Sequence, residues 1–326
     1  MSDHPIVGGY LLPGLPHPLL AADQNAGWGR LRRAFEQVRE DIRQSGADLI
    51  LMYSTMWPSV IGHQIQADPE PVWTHVDELF HDLGAIPYHF KMDSDFAEQF
   101  HLACKNRGLA TRTVSYKGFP IDTGSVVCLK LTNPDNFLPA VICSSNVYAD
   151  RAETVVLGKA AVEALKQSGK KAVAVVVGTL SNRLHQTWID PAEDHIHSLK
   201  DQEWNQKILA FLEAGRLEDV AQLSRQIHAE ARVHKVVNFK SFWWLSAVMG
   251  AHNLYQGTVY GYEPVYGTGS AVIGLKRAAH AAQDLEFDEE SPDVYRGDRN
   301  VLAPSLEARG EFDSQLQVGP ALGEED

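Results

Sequence analysis

Three histidines stand where an imidazole could do chemistry: His17 in PGLPHPLL, His63 in SVIGHQIQADP and His234 in EARVHKVVNFK. His17 comes just after the strand-like run IVGGYLL, and His63 shortly after a second such run, ADLILMYS. In an open α/β sheet the carboxyl ends of the strands form the ligand-binding edge, and βα loops deliver side chains there. Neutral imidazole is the commonest protein ligand for iron, zinc and similar metals. His17 and His63 could therefore converge on one ion. The plainer reading is two unrelated loop histidines among the fourteen in the chain. His234 sits where one helical pattern ends and a more apolar one begins.

Other patterns point to less. GYEPVYGTGSA has glycines but no lysine at the P-loop position, and it runs into a strand where a phosphate cradle would open a helix. No GxSxG elbow is present. PAEDHIHSLKDQEW holds His195 and His197 among carboxylates and reads as a polar loop, with Ser198 capping the helix that follows. Phe242, Trp243 and Trp244 read as helix core or subunit interface. In YKGFPIDTGSVV, Asp122 and Thr123 fall on a turn entering a strand, where they line a pocket or cap the turn.

The elements that must position these residues follow from periodicity. IVGGYLL, ADLILMYS, SVVCLKL, AVICSSN and KAVAVVVGTL are short apolar runs bounded by turn residues and read as buried strands. Helical patterns lie between several of them. GWGRLRRAFEQVREDIRQSG puts Leu31, Phe35, Val38 and Ile42 on one face and stops at Gly46. DFAEQFHLACKNRG and RAETVVLGKAAVEALKQSG also end in glycine. Beyond Gly178, DQEWNQKILAFLEAG, RLEDVAQLSRQIHAEARV and KVVNFKSFWWLSAVMGA read as three helices, and TVYGYEPVYGTGSAVIGL as a final strand pair. This alternation predicts a single α/β domain over residues 1–282. Its mainly parallel central sheet is flanked by helices on both faces. Residues 283–326 turn acidic and lose periodicity, as an extended tail does.

Composition sets outer limits. The 326 residues carry 29 Lys and Arg against 42 Asp and Glu, a formal charge of −13, which argues against a nucleic-acid surface. Cys104, Cys128 and Cys143 show no CxxC spacing and read as reduced core thiols in a cytoplasmic protein. The N-terminus has no basic region or cleavage site of a signal peptide, and no apolar run is long enough for a membrane span.

Taken in order, LPGLPHPLL, YSTMWPSVIGHQ, GFPIDTG, GTLSNRL, IDPAED, EWNQKILAFLEAGRLEDV, EARV and YGTGSAVI make the chain resemble the class III (LigB-type) extradiol ring-cleaving dioxygenases. Within that family it resembles most the two homologous subunits of the aminophenol-cleaving type. The resemblance spans roughly residues 5 to 276. It implies Fe(II), with another divalent metal left open, bound by two histidines, which map onto His17 and His63, and by a glutamate. One anchoring puts His234 at the glutamate position, as a third imidazole ligand; another puts Val236 there, which coordinates nothing. The family's acid/base histidine maps onto Asn182, which can hydrogen-bond substrate but cannot shuttle a proton. His185, or else His195, is left to move protons, with Thr123 shaping the pocket. The resemblance thus implies an enzyme, a homo-oligomer or a hetero-oligomer with a homologous subunit, that opens an aminophenol- or catechol-type ring with O₂. The alternative it carries is a catalytically silent chain partnering an active homologue, since GFPIDTG, IDPAED and EARV share the flavour of the non-metal subunit.

Overall fold

The chain runs through β1 (Ile6–Leu12), a short helix α1 (His17–Leu20), α2 (Ala26–Gln44), β2 (Leu49–Ser59), β3 (His63–Gln66), β4 (Val72–Val76), β5 (Ala85–His89), α3 (Ser94–Asn106), β6 (Thr111–Val114) and α4 (Thr123–Thr132). It continues through β7 (Ala140–Asn146), α5 (Arg151–Ser168), β8 (Ala172–Val177), α6 (Leu199–Glu213), α7 (Lys240–Met249), β9 (Tyr255–Val265) and β10 (Thr268–Arg277). The structure is a computed structural model and describes residues 4–181, 188–221, 239–250, 253–278 and 291–296.

Side-chain caps open the helices that the periodicity predicts. The Asn25 side chain accepts from the N–H groups of Gly27 and Trp28 at the start of α2, and Asp93 from Phe96 at α3. Asp150 accepts from Glu153 at α5, and Ser198 from Asp201 at α6. Each cap satisfies donors the first helical turn cannot pair internally. Leu31, Phe35, Val38 and Ile42 of α2 are all buried, as their spacing requires. Gly169, beyond α5, takes the left-handed conformation that ends a helix without a Cβ clash.

The main sheet has eight strands in the order β6-β3-β7-β2-β8-β1-β10-β9. β1, β8, β2 and β7 run parallel to their neighbours in that stretch, and the β9–β10 hairpin joins β1 antiparallel. β8 reads AVAVVV and is buried at every position, the signature of a central strand covered on both faces. One face packs Leu11, Leu51, Tyr53 and Val176 against α3, α5, α6 and α7. The other packs Tyr10, Leu12, Met52 and Val175 against α2 and α4. These two layers position the site: a residue's partners show which face it belongs to.

One expected strand is a helix. SVVCLKL lies inside α4, and Asp122 and Thr123 do not enter a strand; Asp122 is the N-cap of α4 and accepts from the Ser125 N–H. The misreading has a physical cause. The segment is buried on nearly every side, so no polar face marks a 3.6-residue period, and its β-branched residues mimic a core strand. β4 and β5 form a separate two-stranded ribbon. Part of the acidic tail, 291–296, lies against α3 and α5. Tyr295 donates its N–H to the Arg107 carbonyl, and Lys159 reaches both the Ser291 carbonyl and Asp293. Gly108 makes room for this strap at φ +79°, since a Cβ there would collide with the Tyr295 carbonyl.

Candidate active-site rim

At the carboxyl ends of the central strands the chain leaves β1 through Pro13-Gly14 and β8 at Val177, while β2 carries Met56. A Cβ added to Gly14 would strike Met56 Sδ, Gly124 Cα and Val177 Cγ1, all closer than real Cβ contacts allow. One added to Gly124 would meet Met56 Sδ and Val177 Cγ1 in the same way. The thioether thus fills the space between the two glycines, and the rim here is close-packed and apolar. Polar groups border it. The Thr55 hydroxyl donates to the Val177 carbonyl over 2.8 Å, and the Ser54 hydroxyl donates to Asp122 Oδ1 over 2.8 Å. Burial pushes the Asp122 carboxyl above the usual carboxylate range, against the pull of its bonds from Ser125 and Ser54.

His17 opens α1 and is 2% exposed. Its ring sits between Trp28 at 4.6 Å, Phe80 at 4.5 Å and Tyr266 at 5.6 Å. Burial lowers its pKa to about 4, although Asp194, Asp77 and Asp82 pull the other way. Its Nδ1 is buried without a hydrogen-bond partner. Asp194 braces the enclosure, accepting from Trp28 Nε1 (2.9 Å) and from the N–H groups of Tyr266 (2.7 Å) and Gly267 (2.8 Å).

Thr123 connects to the same region. Its hydroxyl donates to Asp77 Oδ2 over 2.6 Å and lies 2.6 Å from His75 Nε2. Asp77 Oδ1 accepts from the N–H groups of Leu79 and Phe80, which fixes the turn that brings Phe80 onto His17. Sequence reasoning singled out Thr123 but passed over His75 and Asp77. The signal available was the β-branched and aromatic run VWTHV, which marks a strand and places His75 on it.

His63 begins β3 and is fully buried. Its Nδ1 lies 3.0 Å from the Ser144 carbonyl, and its Nε2 lies 3.3 Å from Glu153 Oε1 on α5. Glu153 also accepts from Asn146 Nδ2 over 3.1 Å. Lys240, at the start of α7, donates to the Asn146 and Val147 carbonyls; burial lowers its pKa to about 8, with Glu153 and Asp150 opposing. His195 is exposed, its Nδ1 2.8 Å from the Glu193 carbonyl. Asn182, His185 and His234 lie outside the described residues.

The structure brings Thr123 and His17 into one network but leaves His63 apart. His17 packs with Trp28 on the α2–α4 face, whereas His63 pairs with Glu153 on the α3–α5 face. β1 and β3 are also separated by β8, β2 and β7. Four strand spacings of about 4.8 Å put roughly 19 Å between those strands. Ligands of one ion each lie about 2 Å from it. In the described geometry His17 and His63 stand in separate networks, with no described contact joining them. Among the described residues no group of three or more His, Cys, Asp or Glu side chains is arranged to hold a metal. The rim positions that do converge, Gly14, Met56 and Val177, carry no hard donor.

An α/β sheet with its ligand edge at these strand ends defines the class, and comparison gives the family. Residues 8–273 match the family model described as the catalytic LigB subunit of aromatic ring-opening dioxygenase, and the chain belongs to this family. It is 35% identical over 270 residues to the 2-aminophenol 1,6-dioxygenase alpha subunit of a Pseudomonas species, covering 82% of this chain and 98% of that one. It is 30% identical over 307 residues to the beta subunit, covering 86% and 100%. An uncharacterized protein of Escherichia coli K12, JW3007, shares the fold, with a TM-score of 0.59 at 14% identity over 83% of this chain and 99% of that one.

Proposed function

We propose that the chain is a subunit of a ring-cleaving dioxygenase that opens an aminophenol- or catechol-type aromatic with O₂. End-to-end similarity to both subunits of a two-subunit dioxygenase supports the substrate class and the hetero-oligomer. Three buried free thiols suit a cytoplasmic setting, and among the described residues no helix is long and apolar enough to cross a membrane.

Within that assembly we infer a division of labour. The homologous partner holds the Fe(II), and this chain stabilises it. This reading stands on the rim, where Met56 fills the space between Gly14 and Gly124 while His17 packs with Trp28 of α2 and His63 pairs with Glu153 of α5. An iron bound by a homologous chain would supply the electron relay between ring and oxygen. This chain's own part is to hold the shape of the shared fold.

Oxygen uptake tests the reading. The purified chain is assayed with 2-aminophenol and with catechol, alone and together with a beta-type subunit. Uptake and a yellow ring-opened product only in the mixture are expected. No uptake in either case would remove the dioxygenase assignment, and turnover by the chain alone would remove the division of labour.

A further inference from the structure

Phe80 lies in the turn that joins β4 to β5, where its neighbours Glu78, Leu79, His81 and Asp82 are exposed. Its own ring turns inward. It stands edge-on to His17 at 4.5 Å and 75°, and edge-on to Tyr266 at 4.7 Å and 77°. His17 and Tyr266 are themselves stacked at 5.6 Å, and Trp28 meets His17 at 4.6 Å. One phenyl ring from a surface turn thus completes a cluster of four rings around a buried imidazole. Edge-to-face contacts of this kind are the ones aromatic rings prefer.

Hydrogen bonds outside the cluster hold the turn in place. Asp77 is buried and uses both carboxyl oxygens: Oδ1 accepts from the N–H groups of Leu79 and Phe80, each at 2.9 Å, and Oδ2 accepts from the Thr123 hydroxyl at 2.6 Å. A threonine hydroxyl has one proton to give. With that proton committed to Asp77, its oxygen accepts from His75 Nε2, 2.6 Å away. The turn is thereby latched to the first residue of α4. Without the Thr123 hydroxyl it is left to the packing of Phe80 and of Leu83, which is partly buried against the α2–α4 core.

The cluster carries one unpaired polar atom. His17 is 2% exposed, and its Nδ1 has no hydrogen-bond partner among the described residues. A buried polar group left unpaired is costly, and a ring with a hydroxyl or amino group would supply both the aromatic contact and the missing bond. Phenylalanine supplies only the ring. The geometry points to an autoinhibitory plug: Phe80 fills a seat for a monocyclic aromatic that bears a hydroxyl or amino group, and the Thr123–Asp77 bond keeps it there. A ligand must displace the ring, so its apparent affinity falls with the fraction of chains whose seat is free. The ligand class rests on the ring-cleaving reading above. The plug rests on the ring contacts and holds whichever chain carries iron.

Calorimetric titration of the full chain with 2-aminophenol tests it, without oxygen, metal or a partner subunit. Phe80→Ala removes the plug, and Thr123→Val removes the latch while leaving every ring of the cluster in place. Both are expected to bind at least about tenfold more tightly than wild type. Leu79→Ala, altered at a side chain 66% exposed on the same turn, is expected to bind as wild type does. Cyclohexanol, which has the hydroxyl but no aromatic ring, is expected to gain nothing in any variant. Thr123→Val decides the matter should Phe80→Ala prove unstable. Equal binding by wild type and Thr123→Val would overturn the plug, as would an equal gain in Leu79→Ala or for cyclohexanol. Because no oxygen is consumed, such a result would leave the oxygen-uptake test of the dioxygenase reading standing.

Discussion

Gly14 and Met56 occupy one another's space at the carboxyl edge of the sheet: the glycine has no side chain, and the methionine sulfur sits where one would begin. These residues leave β1 and lie in β2, the two strands whose ends the sequence marks as the ligand edge. Their contact makes that edge a packed wall. Gly124, at the start of α4, closes it from the other side.

Gly14→Ala is therefore expected to destabilise the fold. Overpacking a filled site costs about 1–3 kcal/mol, and here one of the struck atoms is backbone, Gly124 Cα. Thermal melting of G14A, M56A and the double variant measures it. The double variant is expected to be more stable than the sum of the two single losses predicts, because removing the thioether relieves part of the clash. Strict additivity would show that the two side chains do not share the space.

His63→Ala removes a buried partner of Glu153. Removing one member leaves a buried polar group with fewer partners, which costs about 1–3 kcal/mol. Denaturant unfolding of H63A, E153A and the double variant checks this. Coupling of at least about 1 kcal/mol between the two positions is expected. If H63A unfolds at the wild-type midpoint, the pair has no structural role.

His17 gives the metal-free chain an acid limit. Its pKa is near 6.5 when exposed and about 4 in the folded state, because burial opposes its charge. The unfolded chain binds the extra proton first, so stability is full above pH 6.5 and falls as pH drops toward 4. The full difference corresponds to about 3 kcal/mol. Melting curves across that range should show a shallower acid slope in His17→Phe, which cannot take up a proton. Equal slopes in wild type and variant would contradict the burial argument.

The three cysteines should be silent in the native state. Cys104, Cys128 and Cys143 are buried, and burial raises each thiol above its ordinary pKa. Titration with an aromatic disulfide reagent is expected to find none reactive in native protein and three after denaturation. Rapid native reaction of even one would show that the core around it opens.

Much of this fold is legible in the residues. α2 can be read from Leu31, Phe35, Val38 and Ile42, and the end of α5 from Gly169, because amphipathic periods and turn glycines are local signals. α4 cannot be read that way, since burial on nearly every side erases the period. The site is harder still. His17 and His63 both follow early strands in the sequence, but which face of the sheet each side chain joins depends on the β3 crossover, and that is a property of the whole topology. Gly14, Met56 and Val177 carry no chemical signal at all; their meaning appears only when three strand ends meet. His75 lies in a ribbon that ordinary strand patterning underrates, because its outer face is largely apolar where polar residues are expected, and Asp77 lies just after β4.

Iron content is the most direct measure of the central claim that this chain's rim is packed and does not bind iron. The wild-type chain, His17→Ala and His63→Ala are purified anaerobically, incubated with excess Fe(II), freed of unbound metal and analysed by mass spectrometry of the element. All three are expected to retain far less than one iron per chain, with no difference between them. One iron per wild-type chain, lost in either variant, would contradict the account and restore the histidines as ligands.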